Sequence, residues 1–235
     1  VGERLSYPEE RLTTLPARQA AQAEWDTLAV ALVQAPPEGI RRTCVPGIPD
    51  EAFLRGKAPM TKSEVRAVSL SKLALEPEDT LWDVGAGTGS VAVEAALLCP
   101  QGQVYAVECQ PEAFALLEQN KAKFGAGNLH PVLGMAPQAL EELPPPQAVF
   151  IGGSKGNLQA ILQAALAKNP RVRVVMNAIA LETLGQAAAL LGQLGFERTE
   201  IVQVAVSRAK QAGPYHMMMG QNPVFILRGE GGAHD

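Results

Sequence analysis

The sequence predicts an α/β protein with a doubly wound sheet, largely parallel and covered by helices on both faces. From residue 61 onward, short apolar runs typical of strands alternate with segments of helical periodicity. Such alternation favours parallel pairing, because a parallel pair needs a crossover connection that is usually a helix. The last two apolar runs have no helical pattern between them, so the last strand is predicted to run antiparallel. The 235 residues, 47% of them hydrophobic, are enough for a full core.

The first regular element is predicted to be a helix that begins with a capping box between Thr61 and Glu64. Its apolar face comprises Val65, Val68, Leu70 and Leu73. Seven strands follow, at Thr80–Val84, Gln103–Glu108, residues 129–134, Ala148–Ile151, and residues 171–177, 197–208 and 223–228. Helices are predicted between them at Ser90–Leu98, Pro111–Phe124, and residues 157–168 and 181–194. Pro111 suits the first turn of its helix.

Three regions are expected along the chain. Residues 47–230 form the α/β domain, and residues 231–235 are a tail. Residues 1–46 are uneven in composition, with a short predicted helix at residues 17–25, and are interpreted as an extension or linker. Since the chain begins at Val1 rather than Met, we interpret it as part of a longer polypeptide.

Composition argues against several classes of protein. A net charge of −4 is opposed to a large phosphate-binding face, so no nucleic-acid partner is expected. No apolar run approaches the roughly 18 residues of a membrane-spanning helix, and the first residues are too charged for a secretion signal. We therefore expect a cytoplasmic protein without membrane contact. The cysteines, Cys44, Cys99 and Cys109, lack the paired spacing of a metal site or disulfide, so free thiols and no metal are predicted.

The segment WDVGAGTGS, residues 82–90, carries the clearest functional signal. Its glycines Gly85, Gly87 and Gly89 allow positive φ values and close approach of a ligand, and the following helix offers free N–H groups. A dinucleotide fingerprint would need glycine in place of Ser90. Asp83 before the loop would repel a pyrophosphate but could pair with an ammonium group.

S-adenosylmethionine fits this pattern, because it has an ammonium group, a carboxylate and no phosphate. Glu108 ends the second strand, where it could accept hydrogen bonds from both ribose hydroxyls. Any adenosine cofactor would use that carboxylate, so Glu108 does not discriminate between them. S-adenosylmethionine is the predicted cofactor, with a nicotinamide cofactor and a purely structural turn as alternatives.

Three further segments resemble one methyltransferase family: GIPDEAFLRGKAPMTKSEVR at residues 47–66, LPPPQAVFIGGS at 143–154 and NAIALET at 177–183. The chain resembles the decarboxylating precorrin and cobalt-precorrin C15-methyltransferases of cobalamin biosynthesis. The resemblance implies a class I S-adenosylmethionine-dependent methyltransferase fold. It also implies methylation of carbon 15 of a precorrin tetrapyrrole with decarboxylation of the ring-C acetate at carbon 12, in a homotetramer. Residues 1–46 resemble the tail of a C5-methyltransferase, as in the fused precorrin-6Y C5,15-methyltransferases.

The resemblance and the loop together assign the cofactor contacts. The predicted cofactor-binding residues are Thr61, Asp83, Gly85, Ala86, Gly87, Thr88, Gly89, Glu108, Met135 and Ala136. Many family members have an acidic residue where this chain has Met135. Backbone groups and packing on the Met135 thioether are therefore expected to hold the adenine.

The substrate is expected to be strongly acidic, so basic side chains should orient it. The candidates are Arg55, Lys57, Lys62, Lys155 and Arg208, each with solvated surface charge as the alternative. The candidates for catalysis are Asn177, Tyr215 and His216. Loop capping by Asn177 and an ordinary hairpin loop around Tyr215 remain alternatives.

Other functions also remain open at this stage. The chain could be another class I methyltransferase that acts on RNA, protein or a small molecule, a non-catalytic cofactor-binding subunit, or a nicotinamide oxidoreductase. The first is disfavoured by the acidic balance and by FIGGS after the fourth strand, the second by the intact glycine loop, and the third by Asp83 and Ser90.

Overall fold

A computed structural model of the chain describes residues 1–33, 46–57 and 59–232. The chain forms two compact units, Val1–Arg42 and Thr43–Asp235. Cys44, one of the predicted free thiols, lies outside the described residues, whereas Cys99 and Cys109 carry free thiols as predicted.

The first unit contains a small antiparallel sheet. Strand β1 (Gly2–Glu3) pairs with β2 (Arg11–Leu12) on one side and with β3 (Ala29–Val30) on the other. Helix α1 (Ala17–Ala20) is shorter than the predicted helix at residues 17–25. The buried carboxylate of Glu3 holds the unit together, because it accepts hydrogen bonds from Arg11 Nε at 2.6 Å and from the Asp26 N–H at 2.9 Å.

The second unit is built on a seven-stranded sheet. Its helices are α2 (Ser63–Leu73), α3 (Ser90–Leu98), α4 (Pro111–Phe124), α5 (Leu158–Lys168) and α6 (Leu181–Gln193). Its strands are β4 (Thr80–Val84), β5 (Gln103–Glu108), β6 (Leu129–Leu133), β7 (Ala148–Ile151), β8 (Arg173–Ala178), β9 (Phe196–Val204), β10 (Ser207–Ala212), β11 (Tyr215–Gly220) and β12 (Val224–Gly231). The sheet order is β6-β5-β4-β7-β8-β12-β9, and β10 pairs with β11 separately.

The fold class predicted from the sequence is confirmed. Strands β4 to β8 pair in parallel, and β12 lies antiparallel between β8 and β9. Alternate side chains of the central strand β4 pack on opposite faces of the sheet: Leu81 in one core, Trp82 and Val84 in the other. The strand order reverses beside β4, whose neighbours β5 and β7 lie on either side, so a ligand crevice is expected at the carboxyl ends of these strands.

The predicted strand at residues 197–208 was wrong in extent. Strand β9 ends at Val204, and the chain then forms the β10/β11 hairpin before β12 begins. The turn falls at Gly213, which has a φ of +60°, and is followed by Pro214. This glycine-proline pair is a turn signal that sequence reasoning passed over.

The predicted capping box at the start of α2 was also wrong. The helix begins at Ser63, and no side chain caps its N-terminus. The Glu64 carboxylate, which the capping box would have used, accepts instead from Arg208 at 2.6 Å. The carbonyl of Thr61 accepts from Arg66 at 2.6 Å.

Candidate active site

A cavity of about 780 Å³ opens at the carboxyl ends of β4, β5, β7 and β8. Its volume lies within the range of small-molecule and cofactor sites. Its lining includes many of the predicted site residues: Thr61, Lys62, Asp83, Gly85, Ala86, Gly87, Glu108, Met135, Ala136, Lys155 and Asn177. Thr88 and Gly89 lie directly beyond the lining, where the loop enters α3.

The glycine loop has the backbone conformation predicted for it. The φ values are +73° at Gly85, +57° at Gly87 and +79° at Gly89, in the left-handed region that favours glycine. A Cβ atom on Gly85 would lie 2.5 Å from the carbonyl oxygen of Gly153. The loop therefore packs directly against the turn after β7 and leaves no room there for a side chain.

Glu108 connects the end of β5 to this loop. Its Oε2 accepts a hydrogen bond from the N–H of Gly87 at 2.8 Å, and its Oε1 accepts one from the N–H of Gln110 at 2.8 Å. The residue is buried but lines the cavity. Each carboxylate oxygen has a further lone pair, so Glu108 can also accept from hydroxyl groups of a ligand.

Asp83 presents a different kind of carboxylate to the same cavity. It is fully buried, and neither of its oxygens has a hydrogen-bond partner among the described residues. Burial is the largest cause that raises the pKa of Asp83, to about 7; the negative charge of Glu108 adds to it, and the nearby backbone N–H of Ala92 opposes it. An unpaired buried carboxylate is unfavourable on its own, so this site is complementary to a cationic ligand group such as an ammonium.

The described residues of the segment before α2, 46–57 and 59–62, are fastened to α3 by Arg66. The guanidinium of this fully buried residue pairs with Glu94 at 2.6 Å and Asp50 at 3.3 Å, and it donates to the carbonyl oxygens of Ile48 and Thr61. Glu94 in turn accepts from the Ile48 N–H at 2.9 Å. These bonds place Thr61 at the cavity wall, although no motif in the sequence had indicated the role of Arg66.

Asn120 provides a second link between this segment and the glycine loop. From α4, its side chain accepts from the Leu54 N–H at 2.8 Å and donates to the carbonyls of Leu54 at 3.0 Å and Thr88 at 2.9 Å. The residue is completely buried. The Asn120 amide thus joins α4, the glycine loop and the segment before α2.

Two of the predicted basic residues lie at the cavity. Lys62 and Lys155 line it, whereas Arg55 and Lys57 are exposed and lie outside the lining. Arg208 also lies outside the lining, and its guanidinium pairs with Glu64 at 2.6 Å and Asp50 at 3.3 Å. These bonds to Arg208 lower the pKa of Glu64. A direct role for Arg55, Lys57 or Arg208 in substrate binding stays a prediction.

Asn177 lies one residue before the end of β8, at the cavity wall, and contacts a residue that sequence reasoning did not single out. The hydroxyl oxygen of Ser69, buried in α2, lies 2.9 Å from the Val65 carbonyl and 3.0 Å from Asn177 Oδ1. Asn177 Nδ2 has no partner among the described residues. Ser69 therefore fixes one end of the amide and leaves the other end available.

Tyr215 and His216 lie on β11, beyond the lining of the cavity. The hairpin is nevertheless rooted in the wall, since Val206, Gln221 and Asn222 line the cavity. The N–H of Gln221 donates to the Val206 carbonyl at 2.9 Å and closes the base of the hairpin.

The family model of the precorrin methyltransferase domain matches residues 51–229. This chain belongs to the precorrin methyltransferase family. Membership confirms the family predicted from the sequence, and it places the cavity, the glycine loop and Glu108 inside the matched region.

Individual members of the family resemble the chain along most of its length. A relative from Pyrobaculum calidifontis, named probable cobalt-precorrin-6B C(15)-methyltransferase (decarboxylating), is 45% identical over 185 residues, 77% of this chain and 94% of its own length. The crystal structure of a precorrin-6Y C5,15-methyltransferase from Geobacter metallireducens has 39% identity and a TM-score of 0.75, covering 80% of this chain and 99% of that one. An S-adenosylmethionine-dependent O-methyltransferase from Thermotoga maritima, 15% identical with a TM-score of 0.62, shares the fold.

Within residues 1–33, 46–57 and 59–232, no helix is both long and apolar enough to span a bilayer. In the same part of the chain, no group of three or more His, Cys, Asp or Glu side chains is arranged to hold a metal ion.

Proposed function

We propose that this chain transfers a methyl group from S-adenosylmethionine to carbon 15 of a precorrin macrocycle and releases carbon dioxide from the ring-C acetate, in cobalamin biosynthesis. The observation that carries the proposal is the unpaired Asp83 carboxylate, which faces the same cavity as the glycine loop and Glu108 in a member of this family. The name of the Pyrobaculum relative supports the same position of methylation and the decarboxylation.

The residues around the glycine loop fit S-adenosylmethionine in charge and shape. Asp83 would pair with its ammonium group, Glu108 would accept from the ribose hydroxyls, and the bare backbone at Gly85 and Gly87 would allow close contact. Met135 and Ala136 line the cavity for the adenine, and Asn157 Nδ2 holds the Ala136 carbonyl at 2.9 Å. When bound, the cofactor supplies an electrophilic methyl group on a sulfonium.

The protein's part in the reaction is mainly orientation. A methyl transfer requires the reacting carbon to be held about 3 to 3.5 Å from the methyl group, in line with the bond that breaks. Lys62 and Lys155 can pair with the acidic side chains of the macrocycle, while the unpartnered amide end of Asn177 can hydrogen-bond to it. The conjugated macrocycle itself accepts the electron pair that remains when carbon dioxide leaves.

Calorimetric titration separates the proposed cofactor from the alternatives. We expect micromolar binding of S-adenosylhomocysteine and none of NADH, and the reverse result would refute the proposal. Glu108→Ala should weaken S-adenosylhomocysteine binding by about 1 to 3 kcal/mol, because ribose hydroxyls lose their acceptor. Glu112→Ala, which removes an exposed carboxylate from the first turn of α4, is the matched control and should leave the affinity unchanged.

The substrate is tested by turnover of cobalt-precorrin-6B, the compound in the relative's name. Mass spectrometry of the product should show the gain of one methyl group and the loss of one carboxyl group, with carbon dioxide trapped in equal amount. Methylation without carbon dioxide would defeat the decarboxylation alone. Cofactor binding with neither reaction would identify a non-catalytic subunit or a different substrate.

Three predictions about oligomeric state, location and domain organisation are part of the same proposal. We propose a homotetramer located in the cytoplasm, in which residues 1–46 correspond to the tail of a C5-methyltransferase domain. The outer edges of the β10/β11 hairpin support assembly, because an isolated two-stranded hairpin is only marginally stable and could pair with another copy. Sedimentation velocity should give a mass of four chains, and a monomer would contradict the tetramer.

A further inference from the structure

The two faces of the β10/β11 hairpin differ in composition. Directly paired residues of an antiparallel ladder point to the same face, and successive pairs alternate. The register places three pairs on one face: Arg208 with Met219, Lys210 with Met217, and Ala212 with Tyr215. The pairs on the opposite face are Ser207 with Gly220, Ala209 with Met218, and Gln211 with His216.

The first of these faces continues the cavity wall. Val206 and Gln221 form the next pair of the same ladder, and both line the cavity. Counting by twos from this pair leads to Arg208 and Met219, and then to Lys210 and Met217. We call the six residues Arg208, Lys210, Ala212, Tyr215, Met217 and Met219 the cavity-side face. At six residues a strand, it reaches about 20 Å beyond the cavity.

The cavity-side face combines apolar surface with positive charge. Tyr215 is 72% exposed, Met217 56% and Met219 52%. Lys210 is exposed and makes no ion pair with any residue that the structure describes. Arg208 is different, because its bonds to Glu64 and Asp50 fasten the root of the hairpin to α2 and to the segment before it.

The size of the cavity suggests that a bound macrocycle extends onto this face. A volume of about 780 Å³ lies within the range of a single small-molecule site, yet the proposed reaction requires cofactor and tetrapyrrole together. We therefore expect part of the tetrapyrrole to lie outside the cavity. Its ring is flat and apolar and its rim is acidic, which suits methionines and a tyrosine beside an unpaired lysine.

We propose that the cavity-side face of the hairpin is a docking surface for the tetrapyrrole substrate. Tyr215, Met217 and Met219 pack against the ring, and Lys210 pairs with a peripheral carboxylate. This inference rests on the proposed function, and it names binding residues beyond the cavity lining. It also separates two neighbours, since Tyr215 faces the substrate whereas His216 points to the other side.

The adjacent methionines Met217 and Met218 provide a matched pair of variants, because they share chemistry and exposure but lie on opposite faces. Cobalt-precorrin-6B is titrated into protein saturated with S-adenosylhomocysteine, and binding is followed by the absorbance of the macrocycle. Met217→Ser should raise the dissociation constant about five- to tenfold, since it removes apolar contact area. Met218→Ser should change it less than twofold, and neither variant should alter the affinity for S-adenosylhomocysteine.

Lys210→Gln provides an independent measurement. It should weaken macrocycle binding severalfold at low salt and make the affinity less dependent on ionic strength than in the wild-type protein. An unchanged salt dependence would remove Lys210 from the docking surface.

Sedimentation velocity on every variant distinguishes docking from assembly. Equal losses in Met217→Ser and Met218→Ser, or losses that appear only when the oligomer dissociates, would make the cavity-side face, and not only the edges of the hairpin, an interface between copies and overturn the proposal. The proposed function fails in a different way: the wild-type protein would then bind S-adenosylhomocysteine but no macrocycle.

Discussion

The residues around the proposed cofactor site, here called the cofactor end, and those around the proposed substrate site, the substrate end, differ in how firmly their side chains are held. At the cofactor end, Glu108, Asn120 and Arg66 each make at least two hydrogen bonds to backbone groups of neighbouring segments. At the substrate end, Lys155 is exposed and Ile179 at the rim is 62% exposed. The first end is preorganised, whereas the second has surface that only a bound ligand or another chain could cover.

This difference follows from what each end must recognise. A small cofactor with fixed charges can be bound by groups that stay in place, so rigidity lowers the cost of binding. A large acidic macrocycle requires broad contact and an open path, which side chains such as the methionines of β11 can provide. Variants at the two ends should therefore fail differently: in stability at the first, in substrate affinity at the second.

The largest effect is expected from Arg66→Ala. This change removes the buried guanidinium that pairs with Glu94 and Asp50, and leaves Asp50 only its 3.3 Å ion pair with Arg208, which should lower the free energy of unfolding by about 3 to 5 kcal/mol. Urea denaturation followed by circular dichroism measures it. Lys72→Ala is the control, since it breaks a partly exposed pair with Glu200 and should cost below about 1 kcal/mol. Similar losses in both variants would contradict the importance given to burial.

Gly85→Ala should have the next largest effect, because it combines backbone strain with a clash. The left-handed φ and the overlap with the Gly153 carbonyl should cost about 2 to 3 kcal/mol of stability and abolish measurable S-adenosylhomocysteine binding. Gly127→Ala serves as the control, since a Cβ there meets no atom within 4 Å. Calorimetry on both proteins measures S-adenosylhomocysteine binding. Retained binding in Gly85→Ala would show that the loop can move away from the turn after β7.

The approach of Glu108 to the glycine loop is the part of the candidate site that the sequence predicted best, whereas its contacts to a cofactor stay a prediction. The glycine loop and Glu108 sit at the ends of adjacent strands, so their approach follows from the strand and helix pattern alone. The bonds from Arg66 to Glu94 and from Asn120 to Leu54 and Thr88 join residues 28 to 66 positions apart, and no local pattern indicates them. At the substrate end, Lys62 and Lys155 could not be separated from the exposed Arg55 and Lys57, because composition does not reveal which cations face the cavity.

The hairpin shows the same limit of local patterns. Residues 197–208 read as one strand because alternation continues through Val204 and Val206, although the pairing partner changes between them from β12 to β11. Alternation reports which side chains share a face and contains no information about the neighbouring strand. A change of pairing partner within an alternating run of residues cannot be recognised in this way.

The smallest predicted effect concerns pH and isolates one charge at the cofactor end. Burial raises the pKa of Asp83 to about 7, so the free protein carries a proton there below neutral pH, and a cofactor ammonium has to displace it. S-adenosylhomocysteine, which has the same ammonium, should bind about tenfold more weakly at pH 6 than at pH 8. Calorimetry in buffers of different ionisation enthalpy should also show proton release on binding at pH 6. Asp83→Asn should abolish both effects.

Stability of the free protein should respond to pH in the opposite direction. Between about pH 4 and 7 the unfolded chain has already lost the Asp83 proton while the folded chain retains it, so the folded state binds more protons and its stability falls as the pH rises through this window. The wild-type protein should lose this contribution between pH 4 and 7, and Asp83→Asn should not. If the wild-type protein instead showed the same pH dependence of affinity and stability as Asp83→Asn, the Asp83 carboxylate would already be ionised in the free protein, and the cofactor ammonium would displace no proton.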